Sequence, residues 1–413
     1  MKSIEKSNQK PNLLSAFAVT APGLEDLCAR ELAALGVRAK IVEGGVEWSG
    51  DLASIARANL WLRTASRVLV RVAEFRATAF FELELNAKKI PWKRFVAADQ
   101  TVEFRVTCRK SKLYHSGAVA QRFGQAVIHA VRGVKVDEPS AARESNEERE
   151  ETASADRQLF VVRFVHDVAT VSVDSSGALL HMRGYRQAVA KAPLRETLAA
   201  ATLLGAGWDG TTPLTDPMCG SGTIPIEAAL IARRMAPGRN RPFAFLRWPE
   251  LDHKLWTTIL THARAGELAA SPVKISGYDR DEGAVTAARA NAERAGVAAD
   301  VELAVQPISA MPGEAAEPSG LVASNPPYGV RVGESDRLRN LYAQLGNVVR
   351  AKRPGWRLAL LSADRELERQ IGLELDTRLT TRNGGIPVRL VVADVPDSGI
   401  ETARSVVAGR DRS

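Results

Sequence analysis

The residues most capable of chemistry lie in a short segment, SNPPY, that runs from Ser324 to Tyr328 after an apolar stretch. The side-chain carbonyl of Asn325 and the backbone carbonyl of Pro326 can both accept hydrogen bonds from an amino group. An amino nitrogen on a planar ring is a poor nucleophile until its N–H groups are held in this way. Two prolines stiffen the loop, and Tyr328 offers a ring on which an unstacked base can lie. Taken alone, the same residues could form a rigid surface turn.

A glycine-rich turn lies upstream, in the segment TPLTDPMCGSGTIPIEAALIARR. Gly220 and Gly222 remove side chains where the backbone must pass close to a ligand. Thr223 can cap the helix that follows, and Pro225 suits its first turn. The segment lacks the G-x-G-x-x-G pattern of dinucleotide sites and the G-x-x-x-x-G-K-S/T pattern of P-loops. The segment could therefore be a ligand-binding loop of another kind or a plain tight turn.

Three further residues near this turn have competing interpretations. Asp279, at the end of the next apolar run, could bind both hydroxyls of a ribose, as the acidic residue of dinucleotide folds does. Asp281, two residues later, is better explained as a helix cap. Cys219 is better explained as a small buried residue than as a nucleophile.

The glycine-rich turn resembles motif I of class I methyltransferases. That resemblance implies binding of S-adenosyl-L-methionine, with Asp279 on the ribose and Asn325 also beside the cofactor. In the place where relatives carry an acidic residue for the adenine amino group, this chain has Gln306 and Pro307, so either backbone groups replace it or the affinity for the cofactor is lower. The motif form D-P-x-C-G-S-G-T is matched at Asp216, Pro217, Cys219, Gly220, Ser221, Gly222 and Thr223.

The SNPPY segment similarly resembles the (D/N/S)-P-P-(Y/F/W) motif of methyltransferases that act on nitrogen conjugated with a planar system. The resemblance implies that Asn325, Pro326 and Tyr328 are catalytic. Methylation of carbon 5 of cytosine would need a cysteine nucleophile near this loop, and the sequence has none there. The motif is shared by enzymes acting on adenine N6, cytosine N4, guanine N2 and protein glutamine, so it does not choose among them.

The elements that position these motifs alternate between strands and helices from about residue 193. Apolar runs such as VKISGYD, GLVASN and WRLALLSA alternate with helical stretches such as DEGAVTAARANAERAG, which is typical of a doubly wound α/β sheet. Ligands of such sheets bind at the carboxyl ends of the strands, where both motifs fall. Upstream, AFAVT, KIVEGGVEWSG, TVEFRVTC and LFVVRFV are predicted strands, and GLEDLCARELAALG, DLASIARANLWLR and GAVAQRFGQAVIHAV are predicted helices. The polar run 141–156 is predicted to be a mobile acidic loop.

Composition and charge indicate a cytoplasmic protein with an anionic partner. No apolar run approaches the ~20 residues of a membrane span, and the three cysteines show no spacing typical of disulfide or metal sites. Between Leu60 and Arg122 there are 13 Lys and Arg against 5 Asp and Glu, a surplus that equals the net charge of +8. A nucleic-acid backbone is the expected target of this cluster. Its predicted RNA contacts are Lys88, Lys89, Lys93, Arg94, Arg109, Lys110 and Lys112, with Trp92 and Phe95 as stacking residues.

Over about residues 16 to 395 the chain resembles the THUMP-domain RNA methyltransferases, especially those that make N2-methylguanosine in 23S ribosomal RNA. The markers outside the catalytic motifs are RGYR (183–186) and APLRE (192–196). The resemblance implies a Rossmann-like class I methyltransferase domain with a mostly parallel seven-stranded sheet, preceded by α+β ferredoxin-like and THUMP domains. The predicted domain boundaries are 1–72, 73–180 and 181–413. No metal site is predicted.

Several alternatives stay open at this point. The substrate could be guanine in transfer RNA or adenine in DNA, and the protein could be an RNA-binding assembly factor with a weak catalytic domain. A DNA enzyme would be expected to carry a DNA-recognition domain. Arg186, Arg331 and Arg339 could contact substrate or form structural salt bridges.

Overall fold

Two β-sheets organise the chain in a computed structural model that describes residues 13–137, 157–187, 194–313, 319–328 and 335–397. These residues divide into two compact units. The first sheet lies in one unit together with Pro242–Thr261, and the second sheet lies in the other. Of the described helices, none combines the length and the apolar character needed to cross a membrane.

In the described residues the first sheet has eight strands, β1 (Leu14–Thr20), β2 (Ala39–Val42), β3 (Gly45–Gly50), β4 (Ala65–Arg76), β5 (Thr101–Arg109), β6 (Lys135–Val136), β7 (Arg157–Val165) and β8 (Val168–Asp174). The helices in this stretch are α1 (Glu25–Ala34), α2 (Leu52–Trp61), α3 (Phe80–Ala87), α4 (Trp92–Phe95) and α5 (Ser116–Ala130). The strand order is β2-β3-β1-β4-β8-β7-β5-β6. The predicted boundary at residues 72 and 73 lies within β4, and the three-domain division stays a prediction.

The first sheet buries one face because its strands alternate in polarity. In β5, Val102, Phe104 and Val106 are buried while the residues between them are at least partly exposed, as the two-residue period of a strand requires. Trp92 packs against this face, with its ring centroid 6.0 Å from that of Phe104 and 5.0 Å from that of Phe160.

In the described residues the second sheet has seven strands, β9 (Leu214–Asp216), β10 (Ile275–Asp279), β11 (Glu302–Val305), β12 (Leu321–Ser324), β13 (Arg357–Ser362), β14 (Asp376–Asn383) and β15 (Ile386–Asp394). The helices from residue 194 onward are α6 (Glu196–Gly205), α7 (Thr223–Ala232), α8 (His253–Ala265), α9 (Glu282–Ala295), α10 (Ser335–Lys352) and α11 (Arg365–Gln370). Short 3₁₀ turns span Ala244–Arg247, Ala298–Asp300 and Ile308–Ala310.

The order of the second sheet is β11-β10-β9-β12-β13-β15-β14. Strand β15 is antiparallel to both of its neighbours, and β9 to β13 pair in parallel, so the predicted mostly parallel α/β sheet is confirmed. In this sheet the first strand in sequence is β9. Strands β10 and β11 follow on one side of it, and β12 lies on its other side. The switch point between β9 and β12 is where ligands bind in such sheets.

The structure departs from the predicted elements in a few places. The segment 40–50, predicted as one strand, is the hairpin of β2 and β3, with Gly44 at a φ of 80° in its turn. Strands β4, β8 and β14 were not among the predicted elements. The predicted mobile loop at 141–156 lies outside the described residues.

Candidate functional site

The carboxyl ends of β9 and β12 are joined by a buried hydrogen bond. The Ser324 hydroxyl donates to Asp216 Oδ1 at 2.7 Å, and the Met218 amide donates to the same oxygen at 3.1 Å. Both Ser324 and Asp216 are buried. Within the described residues no hydrogen bond reaches the second carboxylate oxygen of Asp216. The glycine-rich turn and the SNPPY segment are therefore held side by side.

The carboxyl group of Asp216 is electrostatically perturbed. Burial raises the pKa of Asp216 to about 7, the hydrogen bonds from Ser324 and Met218 lower it in part, and the nearby charge of Asp279 raises it further. A buried carboxylate with no cationic partner is costly to ionise. A positively charged ligand at this position would favour the ionised form.

The glycine-rich turn is fixed by its own backbone. Cys219 N donates to Tyr278 O at 2.8 Å, and Gly220 N donates to Asp279 Oδ2 at 2.9 Å. A Cβ on Gly220 would meet no atom within 4 Å, so that residue faces open space where a ligand can approach. A Cβ on Gly222 would lie 2.9 Å from the Cβ of Ala288, so packing against α9 requires a glycine at this position.

Helix α7 begins directly after this turn. Its N-cap is Gly222, with a φ of 84° and no capping side chain, so the prediction that Thr223 caps the helix is wrong. Thr223 is instead the first helical residue and is buried. The first amides of α7 keep free N–H groups and the positive end of the helix dipole beside the open space at Gly220.

The aspartate that ends β10 and the one two residues later have separate roles. The Asp281 carboxylate accepts from Ala284 N at 2.9 Å and is the N-cap of α9, so its capping role is confirmed. The Asp279 carboxylate accepts from Gly220 N through one oxygen and from Asp281 N, at 3.0 Å, through the other. The Gln306 side-chain amide donates to Ala310 O, its own turn. The contact of this position with adenine stays a prediction.

Cys219 is buried, and burial raises the pKa of its thiol well above the usual range. A thiol that stays protonated is a weak nucleophile. The structure therefore agrees with the interpretation of Cys219 as a small buried residue.

Asn325 carries an unsatisfied acceptor at the start of the stiff corner. Its Oδ1 atom is buried and has no hydrogen-bond partner in the described structure. A buried acceptor without a donor costs about 1–3 kcal/mol, so the position calls for a ligand that brings an N–H group. Pro326, next in the chain, is buried as well.

The remainder of the corner is held from two sides. Asn383 Nδ2 donates to the Tyr328 hydroxyl at 2.6 Å, and the Tyr342 hydroxyl donates to Pro327 O at 3.4 Å. Burial raises the pKa of the half-buried Tyr328. Sequence reasoning missed Asn383, because it lies at the end of the unpredicted strand β14.

Most of the predicted RNA-contact cations are accessible, and their role in RNA binding stays a prediction. Six of the seven cations of this basic surface are exposed: Lys88, Lys89, Lys93, Arg109, Lys110 and Lys112. The seventh, Arg94, forms a bidentate ion pair with Glu250. The proposed stacking role of Trp92 and Phe95 is wrong, because both are buried. The Trp92 indole N–H donates to Ala87 O at 2.9 Å, and the Phe95 ring lies 5.0 Å from Trp248.

A different aromatic pair lies on this surface. Tyr114 is 69% exposed, and its ring centroid is 4.2 Å from that of His115. The loop that carries it is anchored by the buried Leu113 and by Lys112 N, which donates to Asp167 Oδ1 at 2.7 Å. The sequence signal was available in the alternation RKSKLYH, where an aromatic residue follows three cations.

Three arginines were predicted either to contact substrate or to form structural salt bridges, and two of them form ion pairs. Arg186 pairs with the buried Glu196 at 3.2 Å and donates to Leu194 O. Arg339 pairs with Asp336 at 3.5 Å and with Glu366 at 3.7 Å. Arg331 lies outside the described residues.

The sheet order, the glycine-rich turn at the switch point and the asparagine-proline corner define a class I methyltransferase domain. The chain matches the family model of the RMKL-like methyltransferase domain over residues 183–391 and that of the RlmL ferredoxin-like domain over residues 15–69. The protein belongs to the RMKL-like methyltransferase family.

Two curated relatives extend the match beyond the catalytic domain. The ribosomal RNA large subunit methyltransferase K/L of Syntrophotalea carbinolica is 40% identical over 395 residues, which is 92% of this chain and 54% of that protein. The chain thus spans about half the length of that relative. The Synechocystis protein slr0064, provisionally named an RNA methyltransferase, is 34% identical over 91% of this chain and 95% of its own length.

Solved structures agree with the fold. A protein described as a methyltransferase complexed with SAH, SMU.472, superposes with a TM-score of 0.80 at 29% identity, covering 94% of this chain and 99% of that one. A Listeria monocytogenes protein described as a predicted N6-adenine-specific DNA methylase has a TM-score of 0.79 at 32% identity, with coverages of 92% and 96%. The predicted class I methyltransferase fold and N-terminal ferredoxin-like domain are confirmed, and so is S-adenosyl-L-methionine as the cofactor.

Proposed function

We propose that the protein transfers the methyl group of S-adenosyl-L-methionine to the exocyclic N2 of a guanine in large-subunit ribosomal RNA. The buried Oδ1 of Asn325, which has no hydrogen-bond partner among the described residues, carries this proposal, because an aromatic amino group supplies an N–H donor. The 40% identity to a ribosomal RNA large subunit methyltransferase supports RNA as the substrate.

The residues of the corner hold the amino group in a reactive geometry. Asn325 Oδ1 and Pro326 O each accept one of its N–H groups, which draws the nitrogen lone pair out of the ring and points it away from the loop. Tyr328 stacks against the base, and its hydrogen bond from Asn383 fixes the ring. When bound, the cofactor supplies an electrophilic methyl group. Because the corner is hydrogen-bonded to Asp216 through Ser324, both reactants are positioned by one rigid assembly.

The donor is held by the turn between β9 and α7 and by the end of β10. In this proposal the free amides of α7 and the open space at Gly220 receive its methionine end, and Asp279 receives its ribose. The residues that we assign to donor binding are Asp216, Pro217, Cys219, Gly220, Ser221, Gly222, Thr223, Asp279 and Asn325.

RNA contacts outside the active site come from the basic surface. We assign this part of the chain, residues 73–180, to a THUMP domain, after a ferredoxin-like unit at 1–72 and before the methyltransferase domain at 181–413. Its exposed cations pair with phosphates, and Tyr114 takes the stacking role that Trp92 and Phe95 cannot fill. Arg94 contributes less, because Glu250 already neutralises it.

The test is methylation of total RNA from cells that lack the protein, followed by mass spectrometry of the modified nucleosides. We expect N2-methylguanosine in large-subunit RNA from the wild type. Asn325→Ala should lose turnover while keeping its affinity for RNA. Asn347→Ala removes an exposed asparagine of α10 and should keep full turnover.

Each contrary result has a distinct meaning. Unmodified RNA after incubation with the wild type would refute the enzyme activity. N6-methyladenosine would refute the guanine assignment, and methylation confined to transfer RNA would refute the ribosomal one. Full activity of Asn325→Ala would refute the mechanism.

A further inference from the structure

The RGYR segment, which the proposed reaction does not use, lines a cavity of about 80 Å³. The polar wall of the cavity is formed by Arg183, Gly184, Tyr185, Arg239, Asn240 and Arg294. A cavity needs only ~10–15 Å³ to hold one water, so this one has room for a small tetrahedral anion. It is much smaller than the pockets of about 300 Å³ or more that hold drug-sized ligands.

The charge of the cavity wall is positive. Arg239 pairs with Glu267 at 3.1 Å, and Arg183 Nε lies 3.6 Å from the buried Glu227. Arg294 donates to neutral acceptors, including Tyr185 O at 2.7 Å, and has no carboxylate partner in the described structure. Arg294 therefore contributes a positive charge to the cavity wall that no carboxylate pairs with among the described residues.

The cavity is separate from the donor site. It reaches Leu230 near the end of α7 and Ala295 at the end of α9, whereas the glycine-rich turn precedes the first residue of α7. Leu230 lies seven positions after Thr223 along the helix, which corresponds to about 10 Å. The cavity therefore lies toward the far end of α7 from the turn that we assign to the donor.

One side chain connects the cavity with the donor turn. Asn291, buried in α9, accepts from Arg294 through Oδ1 and donates to Ser221 O at 2.9 Å through Nδ2. A ligand on Arg294 is consequently held in a fixed position relative to the turn. An anchor of this kind suits a long substrate that must present one nucleotide to the catalytic corner.

We propose that this cavity binds one backbone phosphate of the RNA, from a nucleotide other than the one that is methylated. The inference rests on the proposed RNA substrate. Guanidinium groups match phosphate oxygens in pairs of parallel hydrogen bonds, and the surplus positive charge is what a phosphodiester would neutralise.

The test measures RNA affinity against salt concentration, using the full chain and a large-subunit RNA transcript. A lost phosphate contact lowers the slope of log K against log salt by about 0.7–0.9. We expect that loss, with several-fold weaker binding at low salt, for Arg294→Gln. The matched control is Arg289→Gln, which removes the same charge from an exposed arginine of the same helix whose guanidinium donates to Leu303 O; it should keep the wild-type slope.

A second variant guards against loss of folding, because Arg294 also bonds to the backbone. Asn240 is exposed at the rim, so Asn240→Asp keeps the fold while adding a negative charge. It should weaken RNA binding in the same direction. Unchanged affinity in this variant, or a wild-type slope in a folded Arg294→Gln protein, would overturn the proposal.

A final experiment distinguishes an RNA phosphate from a small free phosphate as the ligand of the cavity. Inorganic phosphate is titrated against thermal unfolding of the wild type and of Arg294→Gln. Stabilisation by phosphate that depends on Arg294, together with an unchanged RNA slope, would identify a small-anion site and refute the RNA assignment. A wild type that binds RNA and methylates it but shows no Arg294 effect would refute this inference alone, whereas a wild type without either activity would refute the proposed function.

Discussion

The raised pKa of Asp216 makes donor binding sensitive to pH in a way that can be calculated. Its carboxyl group is buried between the hydrogen bonds of Ser324 and Met218 and has no cationic neighbour among the groups that shift its pKa. A methyl donor with a positive sulfonium and a positive amino group should bind the ionised form. Binding should then release a proton from Asp216.

The size of the effect follows from a pKa of about 7. If only the ionised form binds, the apparent dissociation constant is raised by the reciprocal of the ionised fraction. The factor is about 11 at pH 6, about 2 at pH 7 and about 1.1 at pH 8. Affinity should therefore rise about tenfold from pH 6 to pH 8.

Calorimetry at these three pH values measures the effect, with Asp216→Asn as the matched variant. Its amide oxygen can still accept from Ser324 and Met218, so the turn should keep its shape. The donor's own amino group also titrates near this range, and the variant reports that contribution separately. Equal pH dependence in the two proteins would refute the assignment of the charge to Asp216.

The same shift affects the stability of the protein without donor. An acid whose folded pKa is raised contributes stability that is fully present below its unfolded pKa of about 4 and is lost as the pH rises through about 7. We expect the midpoint of thermal unfolding of Asp216→Asn to rise relative to that of the wild type as the pH is raised from 5 to 8.

Three further changes test other parts of the structure. Gly222→Ala places a Cβ 2.9 Å from that of Ala288 at a φ of 84°, and should lower the unfolding free energy by roughly 1–3 kcal/mol in a denaturant titration; an unchanged midpoint would contradict the packing argument. Tyr328→Phe keeps the ring but loses the hydrogen bond from Asn383, so turnover should fall less than in Tyr328→Ala, and equal losses would mean that the ring does not stack. Tyr114→Ala should weaken RNA binding by about 1–3 kcal/mol, as base stacking does, and undiminished affinity in a filter-binding assay would remove Tyr114 from the RNA surface.

The parts of the site that could be predicted from sequence are those built by consecutive residues. The turn at 216–223 and the corner at 324–328 each carry their geometry in local backbone chemistry, namely glycines with positive φ and adjacent prolines. The capping role of Asp281 was equally local, since an N-cap contacts an amide three residues ahead. In contrast, the ties that hold the corner in place, from Ser324 to Asp216 and from Asn383 to Tyr328, cross 108 and 55 residues. No local pattern reports such pairs.

The strands that the sequence analysis missed also depend on contacts with residues distant in the sequence. Strand β14 has the sequence DTRLTTRN, in which five of the eight residues are exposed, so neither apolar alternation nor an apolar run marks it. It forms because β15, whose interior is buried, offers it a pairing edge. A strand stabilised by its neighbour cannot be recognised from its own residues.

The error at Trp92 and Phe95 has a related cause and a useful consequence. Both lie among lysines and arginines in the sequence, and that neighbourhood suggested a stacking surface. In the four-residue helix α4, Trp92 and Phe95 turn into the core, Lys93 faces solvent and Arg94 pairs with Glu250. A basic segment with interleaved aromatics therefore predicts RNA stacking only if the aromatic residue lacks a core to fill, as Tyr114 does at 69% exposure. Exposure decides between the two cases, and exposure is a property of the fold.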